Sequence, residues 1–250
     1  MENMRILLTP AMSKRLIALG LCENESILRR LRKGIVVVCG GTTNGYVAEA
    51  LLSELGEDIG ELKYEMHKGV NLPAGVKTKK ADNADVVIID GKWERELDLP
   101  AVVDRMRDGD IIFKGGNAVY PENGEVGVLI GNTVGGTIMN VMKAAYGRRV
   151  TVIAPVGLEK RVYLPIADIM EIVNASGMDG ERMGLLPAKA YTEIDAIADL
   201  TSADATLIAG GGVMGAEGAC IFHVLGEKED ITAMREVYEV LKKEENFRQK

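Results

Sequence analysis

The stretch GIVVVCGGTTNGYVAEALL, residues Gly34–Leu52, decides how this chain is read. Ile35–Cys39 is an unbroken apolar run in which four of the five residues are β-branched. A half-exposed strand alternates apolar and polar side chains, so an unbroken run predicts a strand buried on both faces, as in parallel sheets. Gly40, Gly41, Thr42, Thr43 and Asn44 follow as a small polar loop. After them Val47, Ala50, Leu51 and Leu55 recur at helical spacing. Strand, glycine loop and helix in that order is the unit that sets ligands at the carboxyl ends of strands in α/β sheets.

The unit recurs along the chain. DVVIID (Asp85–Asp90) and DIIFKGGNAV (Asp110–Val119) read as further buried strands, the second running into its own glycine loop. Val126–Ile130, RRVTVIAPVG and Ala205–Ala209 read as three more, with helical patterns between them. Strands alternating with helices imply a mostly parallel sheet. The expected fold is a single α/β domain over residues 1–250. Residues 1–33 would form N-terminal helices, 34–226 the sheet core and 227–250 a C-terminal helix. Glu61–Lys80 has the weakest periodicity and reads as a surface excursion.

Composition narrows the class of partner. Of the 250 residues, 47% are hydrophobic and only 4% aromatic, which predicts an aliphatic core. The net charge of −7 argues against the nucleic-acid backbone as main partner, yet leaves room for a local basic pocket around a small anion. No apolar run reaches the roughly 18 residues of a membrane span, and the N-terminus lacks the apolar core of a secretory leader. Cys22, Cys39 and Cys220 are an odd number at wide spacings among apolar neighbours. That pattern predicts reduced thiols and a cytoplasmic protein. We expect no metal, since no His, Cys, Asp or Glu cluster has ligand spacing, and no cofactor. A homo-oligomer is expected.

Four glycine loops follow apolar strands: Gly40–Gly45, Gly115–Ala118, Gly131–Gly136 and Gly210–Gly215. Glycine lets a ligand approach the main chain closely, and the amides and dipole of a helix start favour an anion such as phosphate. Sharper motifs fail. GGTTNG lacks the Lys-Ser/Thr ending of a nucleotide P-loop and is not GxGxxG. The plain alternative is a tight strand-to-helix turn in which Thr or Asn caps the helix.

The strings VVVCGGTTNGYVAEAL, GDIIFKGGNAVYPENGEVGVLIGNTVGGTI and VTVIAP resemble the superfamily of ribose-5-phosphate isomerases, glucosamine-6-phosphate deaminases and CoA transferases. That superfamily also takes in methylthioribose-phosphate isomerases and the sugar-phosphate-sensing domains of some repressors. The resemblance covers Lys33–Pro155 and, more loosely, Ala205–Gly226. It implies a three-layer Rossmann-like sheet with helices on both faces, and a phosphorylated small molecule, a sugar phosphate, as ligand. Gly40–Asn44 would hold the phosphate, with Gly115, Gly116, Asn117 and Lys114 near the reactive carbon and Gly211 and Gly212 completing the site. In an isomerase, Lys114 would stabilise the enolate oxygen while Glu217 or Asp90 moves the proton. Asn117 stands where such isomerases carry a carboxylate, which motivates a non-catalytic sensor as the alternative. Glu122 in PENGEVG resembles the thioester-forming glutamate of CoA transferases, a third reading. The same string reads as a β-turn that needs no chemistry.

Three further residues carry a functional and a plain reading. Cys39 abuts the first loop, where a helix start can acidify a thiol. His67 reads as part of a lid or as a solvated loop residue, and His223 as a packed core residue.

Overall fold

The computed structural model describes residues 1–58, 60, 62–66, 71 and 85–246. In chain order it forms β1 (Glu2–Leu8), α1 (Pro10–Cys22), α2 (Glu25–Arg32), β2 (Ile35–Val38), α3 (Thr42–Ser53) and α4 (Leu62–Glu65). Then come β3 (Val86–Ile89), β4 (Lys92–Trp93), α5 (Leu99–Val102), β5 (Ile111–Phe113), β6 (Ala118–Tyr120) and β7 (Glu125–Ile130). α6 (Thr137–Arg148), β8 (Thr151–Pro155), α7 (Ile166–Val173), β9 (Arg182–Leu185) and β10 (Ala190–Tyr191) follow. The chain closes with α8 (Glu193–Thr201), β11 (Asp204–Gly210), β12 (Cys220–Gly226) and α9 (Lys228–Leu241). It is a mixed α/β fold. No described helix is long and apolar enough to cross a membrane.

The central sheet has six strands in the order β10-β8-β5-β2-β3-β4. β10, β8, β5 and β2 are parallel, so their carboxyl ends share one edge. The opening apolar run is buried on both faces, as its composition demands. Ile35, Val37 and Cys39 pack into one cluster with residues of α5, α6, α8 and α9. Val36 and Val38 pack into the other with residues of α2 and α3.

DVVIID is a buried strand but runs antiparallel to β2, so the sheet is mixed rather than mostly parallel. Most of the Glu61–Lys80 stretch read as a surface excursion lies outside the described residues. Asp85, the residue before β3, accepts from the Gly40 amide at 2.9 Å.

Two further sheets flank this one, in the orders β6-β7-β9 and β1-β12-β11. The N-terminal region is therefore not only helical. Glu2–Leu8 is an edge strand paired antiparallel with β12, its apolar Ile6 and Leu8 buried by strand alternation. The glycines after β11 do not lead into a helix, because β12 pairs antiparallel with β11. PENGEVG is the turn between β6 and β7, as its residues predict.

Candidate functional site

A cavity of about 670 Å³ opens at the shared carboxyl edge of β2 and β5. Its walls come from four segments: Gly40–Asn44, Lys114–Asn117, Val128–Asn132 with Gly135–Ile138, and Lys160. Asn71, described between two stretches that are not, also lines it. Among the described lining residues there is no Asp, Glu or His. Lys114 and Lys160 are the only charged residues among the described ones.

Helices α3 and α6 both start at this cavity, and their starts differ from those of α1, α2, α7, α8 and α9. α1, α2 and α8 begin on Thr9, Asn24 and Thr192, whose side chains accept from first-turn amides. Glu125 Oε2 accepts from the Ile166 amide at the head of α7 at 2.8 Å, and α9 carries a reciprocal Glu227–Asp230 box. α3 and α6 begin on Gly41 and Gly136 with no capping side chain. First-turn amides without a side-chain acceptor, added to the positive helix end, make an anion site. Gly136 has φ 58° and ψ −142°, a backbone that only glycine adopts readily. Gly41 has φ 168°, which is extended backbone open to any residue. Glycine at 41 therefore serves close approach to the amides and not a special torsion.

Polar groups below the rim set the loops. Asp85 accepts from Gly40 N–H at 2.9 Å and from Leu99 N–H at 3.3 Å. Its carboxylate fixes the loop start and does not line the cavity. Asn117 Oδ1 accepts from the Leu129 amide at 3.0 Å, tying the second loop to β7. Lys114 Nζ donates to the Gly115 carbonyl at 3.0 Å, and Lys160 Nζ donates to the Gly116 carbonyl at 3.1 Å.

Lys160 sits on a 3-10 turn, Leu158–Lys160, held from beneath by a buried carboxylate. Glu193 is fully buried and accepts from the Leu158 amide at 2.9 Å through Oε2 and 3.2 Å through Oε1. Burial first, and the neighbouring Glu159 second, push its pKa up to about 7. Lys14 lies 3.9 Å from Glu159; burial is the main cause that lowers its pKa.

The binding candidates of the first two loops come together: Gly40, Gly41, Thr42, Thr43, Asn44, Gly115, Gly116, Asn117 and Lys114 all line the cavity. Gly211, Gly212 and Glu217 do not; they belong to the exposed β11–β12 hairpin, where Glu217 Oε2 accepts from Gly215 N–H at 2.9 Å. Asp90 lies at the opposite end of β2, accepting from the Gly34 amide at 2.8 Å, because β3 runs antiparallel. Glu122 is in the β6–β7 turn, bonded to the Tyr120 hydroxyl, at the end of the hairpin away from Asn117 and Ile130.

Cys39 is fully buried in the core and outside the cavity wall. The Cys22 and Cys220 thiols are pushed up to about 12, chiefly by burial. His223 is half-buried on the face of β12 opposite to Phe222 and Val224, not in the core. His67 lies outside the described residues.

Sequence reasoning missed Lys160. Its signal was the strand TVIAP immediately upstream, whose following loop GLEK has only one glycine. A second depression of about 630 Å³ is lined by Arg15, Glu49, Glu54, Glu57 and Asp58 among others. Arg15 is bonded there to Glu49 and Glu244, so its excess of carboxylates disfavours an anion. No protein-family model matches this chain and no curated protein matches it in sequence, so the functional reading rests on the site itself.

Proposed function

We propose that this protein binds a phosphorylated small molecule, a sugar phosphate, in the cavity at the carboxyl edge of its central sheet. One observation carries the reading. Two helix starts without capping side chains and two lysines meet in a single cavity whose described walls contain no carboxylate. In a chain of net charge −7, such a pocket concentrates favourable potential for an anion at one place. The finer fold expectation, a three-layer Rossmann-like sheet, belongs to this proposal; the parallel strands β2, β5, β8 and β10 and the apolar packing on both sheet faces support it.

The charge inventory favours a ligand-sensing or regulatory role over isomerisation. Proton transfer beside a carbonyl needs a base within hydrogen-bond reach, and the described wall offers only Lys114 and Lys160 as titratable groups. Calorimetric titration with sugar phosphates, free sugars and CoA esters tests the binding reading; only the sugar phosphates should bind. Incubating a bound sugar phosphate in D2O and following its carbon-bound protons by NMR then separates the roles. Deuterium uptake beside the carbonyl shows an isomerase, and its absence at full occupancy a sensor.

A further inference from the structure

We propose that Asn44 reads a hydroxyl group: the ligand is a phosphorylated polyol or sugar, one of whose hydroxyls donates a hydrogen bond to Asn44 Oδ1. This rests on the anion-binding reading above and names the group that must accompany the phosphate.

Asn44 is 1% exposed and lines the cavity in the first turn of α3. Its Nδ2 donates to the Cys39 carbonyl at 2.7 Å and to the Phe113 carbonyl at 3.1 Å. Both partners can only accept. A flipped amide would set oxygen against oxygen, so the orientation of the group is fixed. That orientation leaves Oδ1 buried without a hydrogen-bond partner, whereas buried amide oxygens in folded proteins nearly always have one. Thr43, the neighbouring residue, repeats the pattern: its Oγ1 is buried and also lacks a partner. These two orphaned groups sit side by side at a helix start that has no capping side chain.

Oδ1 has lone pairs and no hydrogen, so it repels a phosphate oxygen and calls for a donor. An ammonium donor would face Lys114 and Lys160 across the same cavity. A neutral hydroxyl meets the requirement without that repulsion. Gly115 flanks this oxygen: a Cβ there would stand 3.6 Å from Asn44 Oδ1, in ordinary contact, and 3.3 Å from the Pro155 carbonyl oxygen. A site that hydrogen-bonds a substrate hydroxyl with a buried polar group rejects the analogue lacking it, because the group is then left unpaired.

The test compares two probes of equal chain length, erythritol 4-phosphate and n-butyl phosphate, by calorimetric titration. Erythritol 4-phosphate should bind at least about tenfold more tightly. In Gly115→Ala the added methyl covers Oδ1 at 3.6 Å and presses on the Pro155 carbonyl oxygen at 3.3 Å, so the ratio should fall toward one. A crystal structure of the wild-type complex should show a ligand hydroxyl within hydrogen-bonding distance of Oδ1. Equal affinities, or a water at Oδ1 with every ligand hydroxyl elsewhere, overturn the assignment and leave the anion site standing. Failure of both phosphates to bind folded protein overturns the anion site as well.

Discussion

The loops after β2 and β11 look alike in sequence and do opposite things with their backbone amides. Gly40–Asn44 leads into α3, so its amides end at a helix start with no side-chain cap. Gly210–Gly215 turns back into β12, and the Gly211 and Gly215 amides bond within the hairpin. Gly211 N–H donates to the Ala219 carbonyl at 2.7 Å, Ala219 N–H to the Ala216 carbonyl at 3.0 Å and Gly215 N–H to Glu217 at 2.9 Å. Glycine content after an apolar strand therefore does not make an anion loop. What decides is the element that follows, because only a helix start leaves several amides aimed one way.

The sharpest way to break this contrast is a pair of substitutions. Gly41→Val should leave the fold intact, since φ 168° suits any residue and a Cβ at 41 meets nothing closer than Asn44 Cβ at 3.9 Å. The isopropyl group would instead stand before the α3 amides. Several charge-assisted bonds worth about 1.5–3 kcal/mol each would be lost, so affinity for a sugar phosphate should fall by about three orders of magnitude. Gly211→Ala adds a methyl in open space at φ 90°. It should cost about 1 kcal/mol of stability through backbone strain and leave affinity unchanged. If both variants bind alike in titration, the contrast is void.

The cavity side has a buried acid beneath it, and that makes its stability pH-dependent. Glu193 titrates near 7 in the folded chain and near 4.5 when unfolded. The folded state then holds the extra proton between those values, so this contribution is complete below about pH 4.5 and is lost as pH rises through about 7. At pH 8 the loss is on the order of 3 kcal/mol. Glu193→Gln keeps an oxygen for the Leu158 amide and removes the charge. Its melting temperature at pH 8 should exceed that of wild type, with the gap closing toward pH 5. A parallel pair of pH profiles would remove Glu193 as the source.

A smaller effect is expected from Lys160→Met, which keeps the aliphatic stem and deletes the ammonium. Loss of one charged contact predicts a roughly tenfold weaker sugar-phosphate affinity. The gap between wild type and variant should narrow with added salt, because screening already weakens the intact contact. A salt-independent gap would mean that Lys160 acts by shaping the Gly116 loop instead.

The glycine loop after IVVVC and the loop at Lys114–Asn117 were legible because each sits in one continuous string with its strand. Strand direction was not legible. DVVIID has the composition of any two-face-buried strand, and nothing in that composition marks its direction. The antiparallel pairing with β2 puts Asp90 at the wrong edge for the cavity and Asp85 beneath it instead. Lys160 escaped notice for a related reason: it reaches the cavity from β8, a strand adjacent to β5 in space but 38 residues beyond it in sequence. Edge strand β1 was hidden because seven residues with one buried face carry little periodicity against the long helix pattern that follows.

The smallest effect should come from Glu217, and it decides whether the hairpin takes any part in function. Glu217 is exposed and bonds within its own loop, accepting from Gly215 N–H at 2.9 Å. Glu217→Gln keeps an acceptor oxygen for that amide and removes the proton-carrying group. A base in an isomerisation would reveal itself as a large loss of deuterium uptake into bound sugar phosphate, with affinity preserved. A loop residue would change neither, and stability would move by less than about 0.5 kcal/mol, as for most surface substitutions. We expect the second result. A fall in exchange with unchanged affinity would mean that the β11–β12 hairpin reaches over the cavity when ligand binds, and the two loops would then serve one site.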